Sequence, residues 1–277
     1  MVGFVDPVYA KPTVLQWVRF VWRAVFWLSA TLILVPLHVI FSLIEKVIPM
    51  NVSHYITSAW GRAGLYVCGL QLEVVGKHMK HGGAVVPNHV TWIDIFTFHA
   101  SSRLTFVAKS EVRKWPIIGF IAWATNTLFI ERKTSHARRH QDALMARLDR
   151  GHQLCFFPEG TSTDGRHVDH FKPTLFAVFH TPKMVDHAWV QPATATYIPP
   201  EGQSPIFYGW GGDMPFVQSI VGIVGLSSGG RVRVTLHDPV RASDYATRKD
   251  LAKYCEGVVR AGLAKDLGLT IEQVSRQ

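Results

Sequence analysis

The stretch AVFWLSATLILVPLHVIFSLI, residues 24–44, constrains the fold more than any other part of this chain of 277 residues. It carries no formally charged side chain and is long enough to cross a bilayer core as a helix. Three tryptophans crowd its N-terminal side, where indole rings favour a membrane interface. Because Pro36 and His38 interrupt the middle, a bent helix lying shallowly in one leaflet is equally compatible with the pattern.

A core helix of a soluble protein remains the alternative interpretation of this stretch, although its length favours a membrane segment. A cleaved signal peptide fits poorly, because the apolar run is too long and no small-residue cleavage site closes it. Residues 54–69 have the spacing of a second amphipathic helix. The sequence therefore predicts a two-helix membrane motif over residues 1–69.

From Leu70 onward the sequence changes to the pattern of an α/β protein. Short apolar or alternating segments, which predict strands, occur between segments of helical periodicity. We therefore predict one α/β domain over residues 70–277, with a central mostly parallel or mixed sheet flanked by helices. The predicted strands are residues 70–76, 82–88, 103–109, 127–131, 153–158, 184–194 and 231–239.

Charge and cysteine content narrow the class of protein. The net charge of +9, from 29 basic and 20 acidic side chains, suits an anionic partner such as lipid headgroups, nucleic acid or a phosphorylated substrate. The three cysteines are widely spaced, so a disulfide framework and a zinc knuckle are both disfavoured. His136 and His140 are one helical turn apart, but arginines surround them and no carboxylate joins them, so we predict no metal site.

The stretch PNHVTWIDIF, residues 87–96, places His89 and Asp94 in an otherwise apolar run. A histidine in the loop can fold back so that Asp94, in the first turn of the following helix, accepts its Nδ1–H. Such a pair can act as a general base that activates a hydroxyl group. Taken alone, the pair favours the alternative of a capping aspartate near a structural histidine, since such pairs are common by chance.

A second stretch, LCFFPEGTSTDG at residues 154–165, carries further polar chemistry. An apolar strand runs into Glu159, Gly160 and Thr161, at the strand end where α/β sheets bind ligands. Gly160 allows its backbone N–H to approach a ligand closely, as an oxyanion donor would. The two stretches together strengthen a catalytic interpretation.

These motifs resemble those of the glycerolipid acyltransferase family, the lysophosphatidic-acid acyltransferases and their relatives. The resemblance covers roughly residues 60–240, where the blocks follow one another in the family's order. A fourth block, a strand ending in proline, is matched only loosely by residues 190–192. The family's N-H-x4-D block is Asn88 to Asp94, its F-I-x-R block is Phe129 to Arg132, and its F-P-E-G-T block is Phe157 to Thr161.

The resemblance implies an O-acyltransferase in which the acceptor hydroxyl attacks an acyl thioester directly, without an acyl-enzyme. His89 would be the general base and Asp94 would orient it. The donor would be acyl-coenzyme A or acyl-carrier protein, and no metal or organic cofactor is implied. Gly160 and Lys109 match positions that stabilise the oxyanion or hold the substrate. The acceptor-binding positions would be Arg132, Glu159, Thr161 and Ser162.

The acceptor is where the sequence departs from the family. Members that form phosphatidic acid usually continue the third block with arginine, whereas Ser162 stands there in this chain. The segment FYGWGGDM, residues 207–214, resembles a branch that acylates lyso-ornithine lipids. We therefore expect a lyso-aminolipid acceptor, with lysophosphatidic acid as the alternative. The resemblance also implies a bacterial inner membrane, with the site facing the cytoplasm.

Two other functions compete with this interpretation. Residues 225–229 fit the G-x-S-x-G motif of serine esterases, but a strand follows where the motif requires a helix, so we reject it. A non-enzymatic basic protein that only binds anionic membranes would also explain the charge, but not the order of the motifs. No interleaving of aromatic and basic residues indicates a nucleic-acid partner.

Overall fold

The computed structural model describes residues 7–115, 118–130, 137–211 and 214–275. The helices are α1 (Val14–Ile44), α2 (Val52–Val67), α3 (Asp94–Ser101), α4 (Ile118–Ala124), α5 (Ala137–Leu148), α6 (Phe216–Leu226), α7 (Arg248–Leu267) and α8 (Ile271–Val274). The strands are β1 (Leu70–Gly76), β2 (Gly83–Pro87), β3 (Thr105–Lys109), β4 (Leu128–Ile130), β5 (Gln153–Cys155), β6 (Trp189–Ile198), β7 (Gly230–Leu236) and β8 (Val240–Arg241). Short 3₁₀ helices cover Ser110–Lys114, Pro173–His180 and Ala242–Asp244.

In the described part of the chain, the strands form one mixed sheet in the order β1-β7-β6-β2-β5-β3-β4, with β8 paired to β6. Strands β6, β2, β5, β3 and β4 pair with one another in parallel, in that order. Strand β7 pairs antiparallel with β6 and parallel with β1. The predicted mixed sheet is confirmed. Because β6, β2, β5 and β3 point the same way, the loops that follow them meet at one edge, where such sheets bind ligands.

Helices cover both faces of the sheet, and the side chains of β2 show how the two cores are divided. Val85 packs into the core beneath α1, α2, α3 and α6, whereas Ala84 and Val86 pack into the core beneath α7 and the 3₁₀ helix at Pro173–His180. All three are fully buried. A strand buried on both faces reads as a continuous apolar run, which is why the sequence predicted it.

Strand β6 differs most from its predicted extent. Residues 184–188 form turns, closed for example by Ala188 N–H donating to the Met184 carbonyl, and the strand continues to Ile198. Thr194 ends the predicted strand and Thr196 lies in the added segment, and both side chains are fully buried. Each hydroxyl has a partner, His237 Nε2 at 2.8 Å and Asp266 Oδ2 at 2.8 Å respectively. Paired hydroxyls can be buried without the usual desolvation cost.

Helix α1 is longer than the apolar stretch that predicted it. Its 31 residues, about 46 Å at the usual helical rise, begin behind an N-cap at Thr13. Arg23 is accommodated because its guanidinium donates to the carbonyls of Val224 and Ser227, at 2.9 and 2.8 Å, at the C-terminal end of α6. Among the described helices, α1 is the one long and apolar enough to cross a membrane, and only 11% of its most apolar window is buried.

Helix α2 joins α1 to the sheet. The Trp60 indole N–H donates to Thr31 Oγ1 at 3.0 Å on α1. On its other side α2 contacts α3, where a Cβ at Gly61 would lie 2.7 Å from the Phe96 carbonyl oxygen. A side chain at this position would therefore force α2 and α3 apart. Two helices precede the sheet as predicted, but only α1 has the composition of a membrane segment.

Candidate active site

The loop between β2 and α3 is tied to the sheet by a buried amide. Asn88 Nδ2 donates to the Ala195 carbonyl at 3.0 Å, and Asn88 Oδ1 accepts the Ala195 N–H at 2.8 Å. The side chain thus takes the two hydrogen-bonding positions opposite β6 that the backbone of a longer β2 would have occupied. This arrangement fixes the point at which the chain leaves the sheet, immediately before His89.

His89 and Asp94 are in direct contact. His89 Nδ1 lies 2.7 Å from Asp94 Oδ2, and the side chains are 22% and 0% exposed respectively. The same Asp94 oxygen accepts the backbone N–H groups of Val90 and Thr91, at 2.8 and 3.0 Å. Asp94 therefore organises the loop and also holds the histidine, so the two interpretations of the sequence are compatible.

Tyr197, near the end of β6, completes the environment of Asp94. Its hydroxyl donates to Asp94 Oδ1 at 2.7 Å, and its oxygen also lies 2.9 Å from Thr97 Oγ1. Burial raises the pKa of Tyr197 well above its usual value, and the charge of Asp94 raises it further. The phenol stays protonated and remains a donor. With donors on both oxygens, Asp94 can be buried as a carboxylate.

The F-P-E-G-T segment after β5 holds His89 from the other side. The Phe157 ring stacks on the imidazole, with centroids 4.0 Å apart and planes inclined by 16°. The His89 backbone N–H donates to Glu159 Oε1 at 2.5 Å. The His89 carbonyl accepts the backbone N–H of Thr163 at 2.9 Å and its hydroxyl at 3.2 Å. Ring and backbone of His89 are therefore both fixed.

Glu159 lies behind His89 and is 1% exposed. Its second oxygen, Oε2, accepts the Asp169 N–H at 2.7 Å. Burial raises the pKa of Glu159 well above its usual value, while the two backbone N–H donors act in the opposite direction. Gly160 follows with φ of 71°, a left-handed conformation that favours glycine, and its N–H donates to the Phe157 carbonyl at 3.1 Å.

Three of the remaining predicted site residues, Lys109, Thr161 and Ser162, are here called the rim of the site. Lys109 ends β3 as an exposed side chain, Thr161 is exposed and Ser162 is half-buried. Lys109 pairs with Ile130 across β3 and β4. Arg132 lies outside the described residues, so its predicted role is not addressed by the geometry.

The geometry also adds residues that the sequence did not indicate. Thr163 lies two positions beyond the F-P-E-G-T motif, so extending the block would include it. Tyr197 has no comparable local signal, because it reaches Asp94 from a strand 103 residues further along the chain.

The serine-esterase site is not supported, whereas the pair of His136 and His140 is not tested, because His136 lies outside the described residues. Ser227 of the G-x-S-x-G match is fully buried, its hydroxyl lies 2.6 Å from Tyr208 Oη, and it follows α6 and precedes β7. That order is the reverse of the strand–turn–helix that an esterase nucleophile requires. Among the described residues, no group of three or more histidine, cysteine or carboxylate side chains is arranged to hold a metal ion.

A family model described as Acyltransferase matches residues 71–194, which include the dyad and the F-P-E-G-T segment. Together with a curated relative that is 44% identical over 83% of the chain and 84% of its own length, this match shows that the chain belongs to the acyltransferase family. That relative is the lyso-ornithine lipid O-acyltransferase of Rhodobacter capsulatus. A protein of the same name from Brucella abortus is 35% identical over 72% of this chain and 78% of its own length.

The fold is similar to a solved member of the family. The crystal structure of PlsC, the 1-acyl-sn-glycerophosphate acyltransferase of Thermotoga maritima, matches with a TM-score of 0.63 over 92% of this chain and 98% of that one. The sequence identity is 19%, so this similarity concerns the fold alone. The predicted family and the predicted class of enzyme are confirmed.

Proposed function

We propose that this protein transfers an acyl group from a thioester to the free hydroxyl of a lysolipid, with lyso-ornithine lipid as the acceptor. The observation that carries the mechanism is the 2.7 Å contact between His89 Nδ1 and Asp94 Oδ2. The acceptor is supported by the 44% identity to the Rhodobacter capsulatus enzyme over most of both chains. The donor would be acyl-coenzyme A or acyl-carrier protein.

The dyad supports direct acyl transfer as follows. Since Nδ1 of His89 is engaged by Asp94, Nε2 is the nitrogen that takes the proton from the acceptor hydroxyl. The hydroxyl oxygen then forms a bond to the thioester carbonyl carbon, and the carbonyl becomes an oxyanion. When the tetrahedral intermediate collapses, the carbon–sulfur bond breaks and the departing thiolate takes the proton from Nε2. The Asp94 carboxylate stabilises the imidazolium between these two steps.

Gly160 and Lys109 are the groups that we assign to the donor and the oxyanion. Lys109 lies at the carboxyl end of β3, beside the strand that leads into Gly160. A cation and a backbone N–H near a developing negative charge lower the barrier by electrostatic stabilisation. An oxyanion at Gly160 would share that N–H with the Phe157 carbonyl.

We assign the acceptor headgroup to Thr161 and Ser162 of the rim and to Arg132, which lies outside the described residues, with Glu159 shaping the site from behind. Ser162 offers a hydroxyl where phosphatidic-acid-forming members have arginine, which favours a headgroup that does not require a guanidinium on this side. Arg132 would pair with the carboxylate of an amino-acid headgroup, as it would with a phosphate.

The exposed apolar face of α1 supports attachment to a membrane. Its contacts with the rest of the protein extend from Arg23, which binds the end of α6, to His38, whose Nδ1 lies 3.1 Å from the Ser53 carbonyl oxygen. A helix held against the domain over this length would carry the domain into the bilayer if it stood upright. We therefore assign α1 to one leaflet, the cytoplasmic side of the bacterial inner membrane, where acyl thioesters are available. The boundary between residues 69 and 70 stays a prediction.

The test is thiol release from palmitoyl-coenzyme A by the detergent-solubilised protein, with lyso-ornithine lipid and lysophosphatidic acid assayed side by side. His89→Ala should lower turnover by about 10³-fold or more, the scale of a lost general base. His187→Ala is the matched control, because His187 is exposed in the turn before β6.

Each outcome of this assay has a separate meaning. Release with the aminolipid that requires His89 would support both dyad and acceptor. Release with lysophosphatidic acid alone would keep the dyad and overturn the acceptor. Near-normal turnover in His89→Ala would overturn the mechanism. If both acceptors are silent, the same series with acyl-carrier protein decides whether the donor or the proposed reaction is wrong.

A further inference from the structure

A second exposed apolar surface lies outside the two-helix segment. Trp115, Phe120, Trp123 and Val217, here called the aromatic patch, are 40%, 59%, 55% and 70% exposed. The rings of Phe120 and Trp123 are 5.9 Å apart, and Trp115 lies 6.1 Å from Phe216, the residue before Val217. Large side chains grouped in this way on the surface indicate an interaction site.

Two residues of the patch, Phe120 and Trp123, belong to a helix with no charged, amide or hydroxyl side chain. Helix α4 has the sequence IGFIAWA. Its Ile121 and Ala124 are buried in the same core as Val35 of α1, whereas Phe120 and Trp123 point outward. The inward residues are three apart and so are the outward ones, so each pair occupies one face of the helix. The outward face lacks the polar residues that a helix exposed to water normally carries.

The helix that carries Phe120 and Trp123 packs against α1. Helix α4 also packs against the 3₁₀ helix before it. Helices α1 and α4 are therefore neighbours in space, although 73 residues lie between the end of α1 at residue 44 and the start of α4 at residue 118.

Basic residues flank the patch on the side of the 3₁₀ helix. Arg113 and Lys114, both exposed, immediately precede Trp115. The chain as a whole carries a net charge of +9. Aromatic rings beside lysine or arginine are typical of elements that lie at the boundary between headgroups and acyl chains of an anionic leaflet.

The patch is also connected to the dyad loop. Trp115 and Trp92 both contact Phe216, at 6.1 and 5.7 Å between ring centroids. Trp92 is three residues after His89, and the neighbouring Trp210 donates its backbone N–H to the Val90 carbonyl at 3.1 Å. A row of aromatic contacts therefore runs from the loop that holds the catalytic histidine to the surface.

We propose that the aromatic patch inserts into the same anionic leaflet as α1, so that two elements hold the enzyme on the membrane beside the dyad. The acceptor then reaches His89 from the leaflet, along the row of aromatic contacts, without crossing water. This inference rests on the proposed function, since a membrane-resident lysolipid is what makes such an entrance useful. It adds a lipid contact in a part of the chain remote from the apolar N-terminal helix.

Insertion can be measured without reference to activity. The native cysteines are all buried, so a cysteine introduced at the surface can be labelled selectively with the polarity-sensitive fluorophore NBD. Phe120→Cys tests the patch, and Ile271→Cys, 52% exposed on α8 at the far C-terminal end, is the matched control. Both labelled proteins are reconstituted with vesicles of phosphatidylcholine and phosphatidylglycerol in a 3:1 ratio, with or without doxyl-labelled lipid.

We expect a blue-shifted NBD emission and strong doxyl quenching at position 120, with neither at position 271. Equal, water-like emission at both positions on bound protein would overturn the proposal. So would failure of the protein to bind vesicles, while His89-dependent thiol release in detergent would still uphold the proposed reaction.

The double variant Phe120→Ser, Trp123→Ser should lose about tenfold in turnover on vesicle-borne acceptor and little on micellar acceptor. An equal loss in both would contradict the proposed entrance.

Discussion

The loop around the dyad and the rim of the site are built in contrasting ways. In the loop, Asp94 is completely buried and its oxygens accept four hydrogen bonds, from His89, Val90, Thr91 and Tyr197. On the rim, Lys109 and Thr161 are exposed. A buried polar atom that loses its partner costs about 1–3 kcal/mol, whereas exposed polar groups exchange with water at little cost. We therefore expect the proposed chemistry to be fixed by the fold, and the proposed selectivity to depend on exposed side chains that can change without disturbing it.

Replacing Asp94 should give the largest effect in this comparison. Asp94→Asn can keep an acceptor for His89 but removes the negative charge that stabilises the imidazolium. We expect a loss of about 10²–10³-fold in kcat with little change in KM, because the charge matters only when the proton is on His89. The measurement is thiol release under saturating donor and acceptor.

Tyr197→Phe is the matched control for that prediction. It removes one donor from Asp94 Oδ1 and leaves the contact with His89 intact. We expect a loss below about tenfold, the scale of a single hydrogen bond of about 1 kcal/mol. If Tyr197→Phe lowered kcat as much as Asp94→Asn, the effect of Asp94→Asn could not be attributed to the lost negative charge. Loss of any hydrogen bond in the loop would then explain both variants.

The sequence predicted the contact between His89 and Asp94 but only part of its support. The spacing of His89 and Asp94 is local, so a motif shows it, and strands buried on both faces are visible as apolar runs. Tyr197 could not be predicted, because its contact with Asp94 depends on the placement of β6 beside β2. The end of β6 was missed for a related reason, since the Asp266 carboxylate that allows the Thr196 hydroxyl to be buried lies 70 residues further along the chain.

Glu159 tests whether a residue of the F-P-E-G-T segment acts on the acceptor or on His89. Its two oxygens bind backbone N–H groups of His89 and Asp169. Glu159→Gln replaces one acceptor by an NH₂ group that faces an N–H donor, so the His89 backbone should shift. We expect kcat to fall about tenfold while the KM for acceptor stays within about twofold. A large rise in the acceptor KM with kcat unchanged would instead place Glu159 in headgroup binding.

The same variant carries a pH prediction for stability. Because burial raises the pKa of Glu159, the folded state favours the protonated carboxyl group. The stability from this preference is present below the usual glutamate pKa of about 4.5 and is lost as pH rises through the folded pKa. Glutamine does not titrate. The difference in Tm between the wild type and Glu159→Gln, with the wild type higher, should therefore shrink between pH 5 and pH 8. A difference in Tm that grows over this range would show that the two N–H donors affect the pKa of Glu159 more strongly than burial does.

The smallest expected effect concerns Ser162 on the rim. Ser162→Arg restores the residue that phosphatidic-acid-forming members carry and should shift preference towards lysophosphatidic acid. Because Ser162 is only half-buried, the gain should be closer to the 0.5–1 kcal/mol of a solvated ion pair, or about two- to fivefold, than to that of a dry phosphate site. The measurement is the ratio of kcat/KM for the two acceptors.

Thr161→Arg separates position from charge, because it adds the same cation one residue earlier on the exposed rim. If Ser162→Arg shifts the ratio and Thr161→Arg does not, the headgroup contacts position 162 itself. Equal shifts would mean that general attraction of a phosphate explains the change and that Ser162 has no specific role. A fall in turnover with both acceptors would contradict the contrast between the dyad loop and the rim. It would show that the rim, like the loop, cannot change without disturbing the chemistry.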